Sequence, residues 1–380
     1  MKKTKGRKMN IITSFLQTLN PHISIKHLQT QEENDDGKTE HDFVCFDAEN
    51  VKIPNVYAAK ILASKMGKKV FPFLEKLVKS TSDEQKLAKI LKTKAWVYKK
   101  TVWHPALVAK CNHQLLKKMK NTAVLKDLPL SYDEICIDTI IASVLHDIGR
   151  LSEVDIAQGE VCMERGGLKK HHALISYDIL ERALIKPEIL LAIKYHEFAD
   201  VDEVTQDNLF NKLSESKQKI AKFYTYVLQD MDKTANLTER SIYGIKKCAE
   251  FFDPHYIQDY DITEEHFINA TKGQYLRLKG GHLLDAMMRF VTWTYCIHFQ
   301  QTKEILSEVL TDFFWQMYQE AIREYENSEI KDPVRLAHTL EKITQLEDYA
   351  ITERMGMKIN AQNRKQITQQ IIKYHDSHKA

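Results

Sequence analysis

The scarcity of helix-breaking residues most constrains the fold of this chain. Its 380 residues include only 12 glycines and 8 prolines. Between them, apolar residues recur every three or four positions over long segments, which is the period of an amphipathic helix. The pattern therefore predicts an all-α fold. Helices are predicted at 56–79, 83–93, 104–120, 132–147, 172–185, 188–198, 214–237, 241–250, 264–273, 281–299, 302–325, 333–347 and 362–374.

Local signals mark where several of these helices begin and end. Ser131 and Glu134 have the spacing of a capping box, which starts a helix. Pro187 and Pro333 stand at good first positions of helices. Gly149 is predicted to end the helix that starts near residue 132, because glycine tolerates a positive φ.

Bulk composition excludes few functions but narrows the class of protein. Hydrophobic residues make up 43% and charged residues 28%, which is typical of a soluble globular protein. The net charge of +3 does not favour nucleic acid or an acidic membrane surface as a partner. Six scattered cysteines predict reduced thiols and a cytoplasmic location. No apolar run is long enough to span a bilayer, and polar residues interrupt the apolar stretch 9–19, so neither a membrane segment nor a signal peptide is expected.

The chain is predicted to divide into four parts. Polar residues in 30–41 indicate a flexible N-terminal segment over 1–41, and residues 42–98 form a helical extension with an extended apolar patch at 43–46. Residues 99–240 form the core. Residues 241–380 form a C-terminal helical region that packs on that core.

One of three His-Asp pairs stands out by its context. The pairs are His41-Asp42, His146-Asp147 and His375-Asp376, and about one is expected by chance at this composition. Only His146-Asp147 closes an apolar helix, which places two metal-ligand side chains at the rim of the core. This pair is therefore predicted to bind metal, and the other two are not.

The pair belongs to a longer series of six candidate ligands. They are His104, His146, Asp147, His172, His196 and Asp232. Imidazoles and carboxylates hold Zn, Mn or Fe ions. The spacings of 42, 26, 24 and 36 residues between successive ligand segments suit short antiparallel helices that return to one end of a bundle. Three neighbours remain rivals for places in the series: His113, His171 and Asp230.

This series resembles the HD-domain superfamily of metal-dependent phosphohydrolases. His104 opens a His-Pro-Ala-Leu segment, His146-Asp147 matches the doublet, and Asp232 stands in Asp-Met-Asp-Lys. The helices around His172 and His196 are similar to those of one bacterial branch with extra histidines. The resemblance covers roughly 99–300 and departs from the branch at residue 197, where Glu replaces the commoner Asn.

The resemblance implies an HD-domain helical bundle with additional N- and C-terminal helical segments. It also implies one or two divalent ions, chosen from Mn, Fe, Ni, Co, Mg and Zn. One ion would use His104, His146, Asp147 and Asp232. A second would use His172 and His196, with Asp147 as the bridge. With a single ion, His172 and His196 would instead contact phosphate or transfer a proton.

Nearby charges fit an anionic substrate. Arg150 lies one helical turn past His146, Lys169 and Lys170 precede the third ligand helix, and Lys233 follows Asp232. A guanidinium binds phosphate through two donors, whereas an ammonium acts as a point charge. Arg150 and Lys233 are also predicted to act in catalysis. Glu153 and Glu197 are candidates for acid–base assistance.

The expected function is hydrolysis of a phosphate ester or anhydride of a small nucleotide-like substrate by metal-activated water. One alternative is an HD nuclease acting on single-stranded nucleic acid, which the near-neutral charge and the lack of a GxxxxGK[ST] helicase motif disfavour. Another is a non-catalytic nucleotide-sensing protein, which the complete series of six ligands disfavours. The oligomeric state stays open.

Overall fold

A computed structural model describes the parts of the chain used below. They are residues 76, 78–80, 82–86, 90, 93, 100–101, 104–155, 160–161, 171–182, 185–197, 202–243, 257, 259–276, 281–359 and 361–376. The predictions for 1–41 and for the apolar patch at 43–46 lie outside these residues. So do the substrate-binding predictions for Lys169 and Lys170.

The predicted all-α fold is confirmed, and the chain divides into two units, Met1–Asp232 and Lys233–Ala380. The division falls within a helix, eight residues before the predicted boundary at 240. The predicted packing of the C-terminal region on the core stays a prediction.

The first unit contains the ligand series. Its described elements are α1 (His104–Met119), α2 (Ala123–Lys126), α3 (Tyr132–Leu145), a 3-10 helix (Ile148–Glu153), β1 (Val154–Asp155), β2 (Glu160–Val161), α4 (His172–Glu181), α5 (Pro187–Tyr195), α6 (Asp202–Thr205), α7 (Asn208–Asn211) and the greater part of α8 (Glu215–Tyr243). The two short strands pair antiparallel. Helix α3 packs against both α1 and α5, and α4 packs against α5 and the 3-10 helix.

Helix α3 forms as its sequence predicts. The Ser131 hydroxyl accepts from the Glu134 backbone N–H, and the Ser131 N–H donates to the Glu134 carboxylate at 2.9 Å, which completes the capping box. Every residue from Ile135 to Leu145 is buried. The apolar helix ends at Leu145. The two polar residues that follow it, His146 and Asp147, are therefore buried at the edge of the apolar core.

Gly149 serves close packing rather than a left-handed turn, so the predicted positive φ is wrong. The described glycines with positive φ are Gly273, Gly281 and Gly356. A Cβ at Gly149 would lie 2.4 Å from the carbonyl oxygen of His172 and 2.8 Å from the Ser176 nitrogen. The Gly149 N–H also donates to the Ser176 hydroxyl at 2.9 Å. Gly149 therefore lets the turn after α3 lie directly on α4.

The second unit has its own apolar core. Its described elements are α9 (Glu264–Thr271), α10 (Leu283–Thr292), a 3-10 helix (Trp293–Tyr295), α11 (Gln300–Asn327), α12 (Pro333–Glu347), a π-helix (Asp348–Arg354) and α13 (Ala361–Asp376). Phe313 and Phe314 are fully buried there, and Trp293 packs against the same core.

Helix α10 ends earlier than the predicted 281–299. The hydroxyls of Thr292 and Thr294 donate to the carbonyls of Arg289 and Val291, each at 2.7 Å, and such bonds compete with regular helical bonding. The Lys233 ammonium donates to the carbonyl of Cys296 at 2.8 Å, which holds that carbonyl outside a helix. Among the described residues, the helices are too short or too polar to cross a membrane.

Candidate metal centre

The ends of four helices and one helix interior bring the predicted ligands together. His104 is the first residue of α1 and His172 the first of α4, whereas His146 follows α3 and His196 follows α5. Asp232 lies within α8. The structure thus brings these five side chains together in the first unit.

The first group of ligand atoms belongs to His104, His146 and Asp232. The Nε2 atom of His104 lies 2.8 Å from Oδ1 of Asp232, and Nε2 of His146 lies 3.6 Å from the same oxygen. All the ligand atoms of this group lie within 4.8 Å of one another. Among the described residues, the rivals His113 and Asp230 belong to none of the candidate ligand groups, so the geometry favours His104 and Asp232.

A second group combines His146 with Asp147 and His196. Oδ2 of Asp147 lies 3.7 Å from Nε2 of His146, and the His146 and His196 rings meet edge to face with centroids 4.8 Å apart. His146 therefore takes part in both groups, which makes them one continuous site.

A third group contains His171, His172 and Glu197. Nε2 of His172 lies 2.8 Å from Oε1 of Glu197 and 3.0 Å from Oδ1 of Asp147. His172 is buried, as favoured from the sequence, while the His171 side chain is 49% exposed and still pairs with Oε2 of Glu197. Because its other oxygen faces His146, Asp147 connects this group to the rest of the site.

Two histidines in the centre are held with a lone pair facing inward. Nδ1 of His146 donates to the Ser143 carbonyl and Nδ1 of His196 donates to the Ile193 carbonyl, each at 2.7 Å. A carbonyl only accepts, so the proton is on Nδ1 and Nε2 is unprotonated in the neutral ring. Both Nε2 atoms are buried and have no hydrogen-bond partner among the described residues. Buried polar atoms usually have a partner, and metal-bound histidines are oriented in this same way, so these residues fit a metal ion.

The two aspartates of the site stay ionised. Burial opposes the charge of Asp147, but His146 and Arg150 hold its pKa well below the ordinary range. Burial likewise opposes the charge of Asp232, but its hydrogen bond with His104 keeps its pKa well below the ordinary range. Both carboxylates can therefore act as anionic ligands at neutral pH.

The remaining groups differ in charge. Burial, together with the neighbouring His146, lowers the pKa of His196 to about 4, so its ring is neutral. Burial opposes the charged form of His172 as well, but the Glu197 and Asp147 carboxylates raise its pKa to about 9. Burial would raise the pKa of Glu197, but His172 lowers it to about 2.

The predicted substrate-binding cations have different surroundings. Nε of Arg150 lies 3.5 Å from Asp147, and Nη2 lies 3.4 Å from Glu197, so its guanidinium stands at the edge of the site. Lys233 belongs to the second unit and donates to a backbone carbonyl there, and its role toward a substrate stays a prediction. The Glu153 side chain lies outside the described residues.

Glu197 and His171 are the site residues that sequence reasoning undervalued. Glu197 was a candidate only for acid–base assistance, and His171 only a rival of His172. The signal was present: each residue is adjacent in sequence to a predicted ligand, and each is of a ligand type.

The donor atoms of the site indicate which metal ions it could hold. Comparisons of the chain with protein-family models, with curated proteins and with solved structures each find no match. The donors are imidazole nitrogens and carboxylate oxygens. This mixture suits Zn, Mn, Fe, Co or Ni, whereas Ca²⁺ binds at sites made of oxygen atoms.

Proposed function

We propose that this chain is a metal-dependent phosphohydrolase of the HD-domain type. It hydrolyses a phosphate ester or anhydride of a small nucleotide-like substrate with one or two divalent ions. The observation that supports this most is the pair of inward-facing, buried Nε2 atoms of His146 and His196, set among ionised aspartates.

The first ion would be held by His104, His146, Asp147 and Asp232. A divalent ion in such a site lowers the pKa of water and polarises a phosphoryl oxygen. The protein contributes the two carboxylates, Asp147 and Asp232, which keep their negative charge despite burial. The carbonyls of Ser143 and Ile193 fix the two central imidazoles in one tautomer and orientation.

Arg150 would bind the substrate phosphate. Its side chain is 18% exposed, so a ligand can reach it, and two ionised carboxylates already orient it. A guanidinium offers two parallel donors to phosphate oxygens. Lys169, Lys170 and Lys233 are proposed as further cations for the anionic substrate. If a single ion is bound, His172 would hold a proton on Nε2 beside the reacting phosphate. Alternatively, His172 and His196 would both contact that phosphate.

A metal-dependent hydrolysis screen of the full-length protein tests this function. The protein is stripped with a chelator and reloaded separately with Mn, Fe, Ni, Co, Mg and Zn. It is then assayed on nucleoside mono-, di- and triphosphates and on phosphodiesters, alongside elemental analysis. Asp147→Asn should lose the activity, while the matched change of an exposed carboxylate, Asp127→Asn, should keep it. Absence of turnover of every substrate with every metal would refute the proposal.

A further inference from the structure

The group formed by His171, His172 and Glu197 resembles a second cation site. We propose that these three residues hold a second divalent cation, with Asp147 as the carboxylate shared with the first ion. This inference deepens the proposed function, since a second ion beside the first would act on the same phosphate. It differs from the sequence-based expectation, in which the second ion uses His172 and His196.

The distances favour this set of ligands. Nε2 of His172 has the Glu197 and Asp147 oxygens at 2.8 and 3.0 Å, and Nε2 of His171 pairs with the other oxygen of Glu197. The ligand atoms of His171, His172 and Glu197 all lie within 4.8 Å of one another. Two imidazoles and a carboxylate are a common ligand set for catalytic zinc and related metals.

His196 belongs with the other ion. Its ligand atom groups with those of His146 and Asp147, and its ring centroid is 4.8 Å from that of His146 but 5.4 Å from that of His172. His146 already contributes to the first group with His104 and Asp232. The first ion would therefore gain His196, and the second would need another ligand, which Glu197 supplies.

Local backbone structure explains how two adjacent histidines reach one ion. Successive residues inside a helix point about 100° apart, which keeps neighbouring side chains from meeting. His171, however, precedes α4 as its N-cap, with φ −57° and ψ 143°, whereas His172 is the first helical residue. This change of backbone conformation lets both rings face Glu197, and their centroids lie 4.5 Å apart.

The charges of the group also call for a cation. The Asp147 and Glu197 carboxylates both face Nε2 of His172, and Arg150 contacts both from the side. A divalent ion between them would balance the charge of two carboxylates that now pair with neighbouring imidazoles and with Arg150. It would also free the Arg150 guanidinium for an anionic ligand.

Metal binding by the full-length protein tests the inference without any substrate. Chelator-stripped protein is titrated with Mn²⁺ and, separately, with Zn²⁺ by calorimetry, and the bound metal is counted by elemental analysis. Wild-type protein should bind two ions per chain. Glu197→Gln should bind one, and His171→Ala should bind the second ion about tenfold more weakly or worse. His171 is half exposed, so its variant should fold even if the Glu197 variant does not.

Matched controls use residues of the same type that belong to none of the candidate ligand groups among the described residues. Glu329→Gln and His338→Ala change exposed side chains and should leave two ions bound. Wild-type protein with a single ion would overturn the proposal. So would two ions bound with wild-type affinity in both Glu197→Gln and His171→Ala.

The measurement separates this inference from the proposed function. Two ions in the wild type, with one lost in Glu197→Gln, would support the second site even if no phosphate compound were hydrolysed. Hydrolysis by a protein that holds one ion, unaffected by Glu197→Gln, would keep the proposed function and remove the second site.

Discussion

Replacing Gly149 with alanine should damage the site without touching a ligand. Gly149 follows Asp147 by two residues and lies against the first turn of α4, which carries His172. The added Cβ would lie 2.4 Å from the carbonyl oxygen of His172 itself. Because the clashing atom belongs to the backbone, a side-chain rotation cannot relieve the clash.

The size of the effect follows from these contacts. Ordinary contact begins at 3.4 Å, so either the turn or α4 must move by 1.0 Å. Metal ligands tolerate errors of only about 0.2 Å, so Asp147 and His172 should no longer serve one site. Overpacking typically costs about 1–3 kcal/mol, and weakening the bond from the Gly149 N–H to Ser176 adds about 1 kcal/mol. We therefore expect a loss of about 2–4 kcal/mol in the free energy of unfolding.

Urea unfolding and elemental analysis of Gly149→Ala measure both effects. Ser176→Ala is the control, because it removes the same hydrogen bond but adds no atom. It should cost about 1–2 kcal/mol and keep the metal content of the wild type. Gly149→Ala with unchanged stability and unchanged metal content would show that the close packing of the turn on α4 has been misjudged.

Further variants, and a pH series on the metal-free protein, probe the site. Asp147→Ala should abolish metal binding and turnover in a protein that still unfolds cooperatively, because this carboxylate lies close to both His146 and His172. Full metal content and full activity in this variant would contradict the prediction. His172→Ala should lower the stoichiometry from two ions towards one. His196→Ala should weaken the ion held with His146, and unchanged metal content and turnover in both variants would make these histidines core residues. In the metal-free protein, the free energy of unfolding should decline in two pH ranges. Urea unfolding in the presence of a chelator measures this decline. His172, with its pKa raised from 6.5 to about 9, contributes stability that is present below pH 6.5 and lost as the pH rises through about 9. His196, with its pKa lowered to about 4, contributes stability that is lost as the pH falls from 6.5 to about 4. His172→Gln should flatten the alkaline decline, and a decline that persists in this variant would assign it to another group.

The sequence alone predicted the fold class and the candidate ligands that lie together. Helix period and capping are local properties, so the start of α3 at Tyr132 and its apolar face could be derived from neighbouring residues. The series from His104 to Asp232 was also visible, because ligand residue types recurred with spacings that suit helices returning to one end of a bundle. The structure brings these residues together, and the metal and the reaction are proposals.

Tertiary structure decided how those residues are grouped. Only packing shows that His196 lies with His146, and that Glu197 and His171 meet at His172. These contacts depend on the angles between helices, which sequence spacing does not specify. Gly149 is a similar case, because the sequence showed only a glycine near a helix end. The position of α4 shows that a side chain has no room there, whereas a positive φ is not needed.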